Sequence, residues 1–126
     1  MAEKILVVQT QVNQLVIEFL DEGVLVVASG NIVHNLRLFK HKDPQPHDWA
    51  QRFDEDVAEH IQTGHHDGLL GYETLGSDAL LAIPSPEHYL PLLYVLGMQR
   101  EDDEVSFFNE QVISSISMRS VIIGQV

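Results

Sequence analysis

Seven histidines and no cysteine invite a metal hypothesis built on imidazoles rather than thiolates. His34 and His88 stand apart from the other five. Each lies about three residues into a helical pattern whose opening is polar and whose continuation is apolar, SGNIVHNL for the first and PSPEHYLPLL for the second. The positive end of a helix dipole disfavours an imidazolium, so both rings should tend toward the neutral form. A neutral imidazole is what a divalent metal or a general base requires. A core histidine capping its own helix fits the same pattern, and from the residues alone the two readings are evenly balanced.

The remaining histidines invite a plainer reading. His41, His47, His65 and His66 sit in polar stretches and are expected to be solvated, and His60 lies at the boundary of an apolar helix stripe. Adjacent His65 and His66 lack the one-face spacing of an i, i+4 metal pair, and no HExxH, glycine-rich phosphate loop or GxSxG elbow occurs. The absence of cysteine removes disulfides, zinc–thiolate sites and thiol nucleophiles together.

The elements that must carry the two histidines can be read from periodicity. Residues 4–10 (KILVVQT) read as a short strand and residues 12–19 as a helix with Val12, Leu15, Val16 and Phe19 on one face. A turn at Asp21-Glu22-Gly23 then feeds five apolar residues, 24–28, expected to be a strand buried on both faces. Strand, helix, strand is a βαβ pattern, and ligands of open α/β sheets bind outside the carboxyl ends of the strands. That is where His34 would lie. Asp48, with Gln51 three residues on, has capping-box spacing. Trp49, Phe53, Val57 and Ile61 then form one stripe on a helix of about 14 residues, with Arg52, Asp54, Glu55 and Glu59 opposite. The stripe is expected to pack on the core, with a ring-stacking platform from Trp49 and Phe53 as the less favoured alternative. Residues 63–67 read as a loop, and residues 71–84 show no clear period. Ser85 and Pro86 open a further helix as cap and first residue, and Pro91 inside it should kink it. Residues 105–108 and 112–123 read as a closing pair of strands. The 126 residues are expected to form a single α/β domain, a mixed sheet with flanking helices.

Bulk composition narrows the partners. With 19 Asp+Glu against seven Lys+Arg the net charge is −12, which repels phosphate backbones and argues against nucleic acid. No apolar window approaches a membrane span and the N-terminal apolar run is too short for a signal peptide, so a cytoplasmic protein is expected.

ASGNIVHNLR (residues 28–37) and PSPEHYLPLLYVLG (residues 84–97) resemble the two C-terminal signature stretches of the class III extradiol ring-cleavage dioxygenases, in the branch of the DOPA extradiol dioxygenases. DEGVLVVASG, the Trp49-Ala50…Phe53 pattern and the closing SISMRSV also fit, and the similarity runs from about residue 4 onward. The resemblance implies the C-terminal half of that fold, with a mononuclear metal at the carboxyl edge of the sheet: Fe(II) in active enzymes, Zn(II) often in isolated proteins. His88 matches the family's C-terminal metal ligand. His34 matches the histidine beside the metal, an acid/base toward the catechol hydroxyl that is sometimes counted as a ligand. The implied activity is opening of a catechol-type ring with O₂.

The family's N-terminal half, with Gly-His-Gly and Ser-x-His motifs that supply two more metal histidines, has no counterpart in this sequence. Ser114 stands where the family usually has glycine. A piece of such an enzyme, one chain of a split enzyme, and a non-catalytic acidic interaction protein with a vestigial pocket are all open. Strand edges and apolar side chains left uncovered would favour a homo-oligomer or a complementing N-terminal half.

Overall fold

The computed structural model describes residues 20–124, and among them the stripe at Trp49, Phe53, Val57 and Ile61 becomes the longest helix. This helix, α1 (Asp48–Thr63), buries Phe53, Val57 and Ile61, with Ala50 and Ala58 filling in beside them. Trp49 is half-buried and packs on the same core, so the stripe is structural and not a stacking platform. The expected cap is displaced by one residue. Asp48 is the first helical residue, and the His47 carbonyl accepts from the Ala50 and Gln51 amides at 3.0 and 3.1 Å. A carboxylate in that first turn still faces the positive end of the helix dipole. At the other end Gly64 adopts φ 74°, and its N–H closes onto the His60 and Ile61 carbonyls. That left-handed conformation favours glycine.

A short helix α2 (His66–Leu70), a 3₁₀ turn (Tyr72–Thr74) and α3 (Ser77–Ala82) follow, so helical structure begins inside the stretch expected to be a loop and occupies much of the stretch without a clear period. Ala79 and Ala82 are buried against the core to which α1 contributes. Proline-rich residues then form a further 3₁₀ turn (Pro86–His88), followed by α4 (Leu90–Leu96). Pro91 lies in the first turn of α4, where its missing N–H costs nothing, and the expected kink does not arise. The Tyr89 ring is buried, its hydroxyl donates to the Leu69 carbonyl at 2.9 Å, and burial pushes its phenol well above the usual range.

The closing strands divide in two. β1 (Glu104–Phe108) runs antiparallel to β4 (Ser120–Gly124), with Glu104 opposite Gly124 and Phe108 opposite Ser120. β2 (Val112–Ile113) and β3 (Ile116–Ser117) form a tight hairpin between them. The single strand expected over residues 112–123 is therefore broken, and Ser114 at φ 53° makes the turn. This is a left-handed position, one that glycine would adopt more readily than serine. Here the serine repays the conformation: its hydroxyl accepts the Lys40 amide at 2.8 Å in a fully buried position.

The architecture is thus α/β, with helices around small antiparallel sheets. The expected strand at residues 4–10 and helix at residues 12–19 lie outside the described residues. Residues 24–28, expected to be a doubly buried strand, form no ladder with any described residue. Leu25 is 84% and Val27 79% exposed. An apolar run reports that a segment wants cover, not which part of a protein supplies it.

Candidate functional site

Residues 31–35 run between two walls. On one side the His34 amide donates to the Ala82 carbonyl at 2.9 Å, the Asn35 side-chain amide to the Leu81 carbonyl at 2.8 Å, and the Asn31 amide to the His88 carbonyl at 2.7 Å. On the other, His34 forms a bridge with Ile116, the Ser117 amide donates to the Val33 carbonyl at 3.0 Å, and the Asn31 side chain donates to the Ser117 carbonyl at 2.8 Å. His34 therefore sits on an extended segment, not inside a helix as expected. The helix dipole argument for its neutrality is replaced by another. Burial, and then the adjacent His88 ring, hold the His34 imidazole below its usual range. A short 3₁₀ turn (Leu36–Leu38) follows, capped by the Asn35 side-chain oxygen, which accepts from the Leu38 amide at 3.2 Å.

The two singled-out histidines meet. Their rings stack with centroids 3.6 Å apart and planes 19° apart. Gly30 makes this approach possible, since a Cβ there would run into the His88 carbonyl oxygen. The pair opens onto a cleft whose rim carries Arg37, Ser85 and Glu87. A hydrogen bond from the Ser85 hydroxyl at 2.6 Å is the main reason the Glu87 carboxyl lies below its usual range, with smaller help from the two histidines. His88 also faces a second cleft on its far side, with Gly30, Asn31 and Arg119.

Behind that second cleft lies a buried ion pair. Asp54, expected on the solvent face of α1, is fully buried. It accepts from the Ser117 hydroxyl and from Nε of Arg119 at 2.9 Å, and Arg119 reaches Glu110 at 2.8 Å while covering the Phe107 ring at 4.9 Å. Through Ser117 this pair braces the hairpin against residues 31–35. Nothing in the periodicity of α1 distinguishes Asp54 from its exposed neighbours; a distant arginine with which to pair would have been the only signal.

The donor set bears on a metal. An imidazole ligates through a lone pair in its own ring plane, and two nearly parallel planes do not meet close to the rings. The stack as it stands fits one ligand beside one non-ligating base, rather than two ligands on one ion. Among the described residues no three His, Asp or Glu side chains gather into a metal cluster, so further ligands would have to come from elsewhere. The other histidines stay apart from the site. His41 and His65 are exposed, His47 reaches the Leu38 carbonyl at 2.8 Å, and His60 lies over Gly68. His66, expected to be solvated, instead buries its Nε2.

Comparison with known proteins identifies the family of the chain. The family described as the catalytic LigB subunit of aromatic ring-opening dioxygenase matches residues 10–123. A 4,5-DOPA dioxygenase extradiol of Escherichia coli (strain K12) is 42% identical over 109 residues, taking in 82% of this chain and 40% of that protein. Proteins of the same name from Portulaca grandiflora and Beta vulgaris are 34% identical over 83 residues and 29% over 89, covering 28% and 33% of their lengths and 60% and 71% of this chain. A crystal structure of an uncharacterized protein from Escherichia coli K12 superposes with a TM-score of 0.80 at 37% identity, over 90% of this chain and 48% of the other. The chain spans less than half the length of each of these relatives.

Proposed function

Because this chain belongs to the family of the catalytic LigB subunit of aromatic ring-opening dioxygenases, a family of ring-cleaving oxidoreductases, we propose that it contributes His34 and His88 to an extradiol dioxygenase centre. The substrate is a catechol-type aromatic opened with O₂, and the relatives' names point to DOPA-like catechols. The stacked pair in its cleft carries this reading. His88 is assigned as a metal ligand and His34 as the acid/base, following the positions they match, and a stack that can offer one ligand to an ion supports that division over joint ligation. Fe(II) is the ion expected for activity, with Zn(II) an alternative occupant in isolated protein. When bound, the metal supplies Lewis-acid polarisation and open positions for the diol oxygens and O₂.

The chain's own residues do the rest. Neutral His34 is poised to take the proton of a catechol hydroxyl, because burial beside His88 disfavours its charged form. Asn35 and Asn31 hold the segment in place through side-chain bonds to the Leu81 and Ser117 carbonyls. The remaining ligands are proposed to come from a complementing chain or N-terminal portion in the cytoplasm, and exposed Val24, Leu25 and Val27 support such association or a homo-oligomer. A second reading is a non-catalytic interaction protein with a vestigial pocket, for which the same exposed Val24, Leu25 and Val27 would serve as the contact surface.

Oxygen uptake with a catechol after anaerobic Fe(II) loading separates the two. Uptake is expected once the chain is mixed with the N-terminal portion of the Escherichia coli relative, and His34→Ala should abolish it. No uptake in the mixture, or uptake indifferent to both His34→Ala and His88→Ala, would favour the interaction protein.

A further inference from the structure

The rim of the histidine cleft carries two opposite charges that no ion pair of the described residues with a lysine or arginine or with a carboxylate employs. Among the described arginines, Arg52 is paired with Asp78 at 2.9 Å, Arg100 with Asp21 at 2.6 Å and Arg119 with Asp54 and Glu110. Arg37 alone among them has no carboxylate partner, in a chain with 19 acidic residues to seven Lys+Arg. It is exposed on the 3₁₀ turn that follows His34 and Asn35, and it lines the same cleft as both histidines. Glu87 lines that cleft too, immediately before His88. One of its oxygens is taken by the Ser85 hydroxyl, and no described lysine or arginine pairs with it. The two charges share a cleft without forming an ion pair with each other.

We propose that Arg37 and Glu87 read the charged tail of the substrate, the guanidinium taking a carboxylate and the Glu87 carboxylate taking an ammonium, so that the cleft selects catechols carrying an α-amino-acid group. The proposal rests on the ring-opening reading above. With the diol end directed to the histidines, a substituent on the ring would extend toward the rim. A guanidinium presents a planar fork that matches a carboxylate, and the two oxygens of an exposed carboxylate offer more acceptor sites than the Ser85 hydroxyl fills, leaving Glu87 able to accept from N⁺–H donors. Opposite charges on one rim also reject singly charged tails relative to a zwitterion, because one of the two then goes unmatched.

Four catechols sharing one ring type test this: DOPA with both charges, 3,4-dihydroxyphenylpropanoate with the carboxylate, dopamine with the ammonium, and 4-methylcatechol with neither. Each is titrated into the full chain and followed by protein NMR. DOPA should bind tightest. Arg37→Gln should weaken DOPA and the propanoate about tenfold while leaving dopamine and 4-methylcatechol within about twofold. Glu87→Gln, which can still accept from Ser85, should weaken DOPA and dopamine instead. Both residues are exposed, and the amide spectra of the free variants verify that they remain folded. Equal affinity for all four ligands, or a variant that weakens all four alike, would overturn the assignment while leaving the ring-opening reading intact. Failure of the wild-type chain to bind any of the four would overturn both.

Discussion

Two regions of this molecule are rich in histidine, and they are built in opposite ways. Where α1 meets α2, His60, His65 and His66 crowd together, yet the hydrogen bonds of the first two are local. His60 Nδ1 bonds the Asp56 carbonyl at 2.8 Å, and His65 Nδ1 shares a proton with the Thr63 hydroxyl at 3.2 Å. In the cleft, His34 and His88 are distant in sequence, and the backbone around them is tied to residues 81–82 and 115–117 and to each other's segments. Density of histidine therefore says little about chemistry. What marks the cleft is that separate stretches spend hydrogen bonds on bringing two rings into contact.

If that bracing is what distinguishes the cleft, breaking it should cost far more than disturbing the corner. The largest loss is expected for Asp54→Ala, which leaves Arg119 with a buried, half-compensated charge. Urea denaturation should show a loss of about 3–5 kcal/mol. Gly30→Ala should follow at about 1–3 kcal/mol, because its Cβ meets the His88 carbonyl and must push the two segments apart. The stacked rings should separate with it, visible as altered His34 and His88 ring proton shifts. Ser114→Ala leaves the part-buried Lys40 amide without its hydroxyl acceptor and keeps a left-handed backbone, for about 1–2 kcal/mol. Ser114→Gly loses the same bond but relieves the backbone, so its thermal midpoint should lie above that of Ser114→Ala.

In the corner, His65→Ala should stay within about 0.5 kcal/mol of wild type. The corner has one further signature. Burial holds His66 below the ordinary imidazole range, so the unfolded chain takes up a proton at this site before the folded one does. His66 thus contributes its full share of stability above the unfolded imidazole range, and that share is lost as pH falls through its depressed value. The acid limb of the stability–pH curve should shallow in His66→Gln, and an unchanged limb would remove His66 from the explanation.

Much of the cleft is legible in the amino-acid sequence. The polar openings around His34 and His88 and their likeness to a known pair of motifs single out the two side chains that meet. Their environment is not legible there. His34 lies on an extended segment, because residues 31–35 are claimed by backbone partners far along the chain, and helical periodicity cannot see such partners. Asp54 shows the same limit: a helix pattern assigns faces, while the arginine that draws this carboxylate inward lies in the connection between β3 and β4. Residues 24–28 are the converse. Their apolar character expresses a need for cover, but the described residues leave Leu25 and Val27 largely exposed. The stripe of α1 succeeds because a 3.6-residue period and its burial are both properties of one helix.

The division of labour between the two rings can be settled by metal content per chain after loading with Fe(II) or Zn(II) in the presence of the N-terminal portion of the Escherichia coli relative, for wild type, His34→Ala and His88→Ala side by side. One ligand beside one base predicts metal in the wild type that is lost with His88→Ala and retained with His34→Ala. Equal loss in both variants would make the histidines joint ligands after a rearrangement of the stack. Metal retained without His88, or none bound by the wild type, would contradict the assignment of His88 as a ligand in this chain.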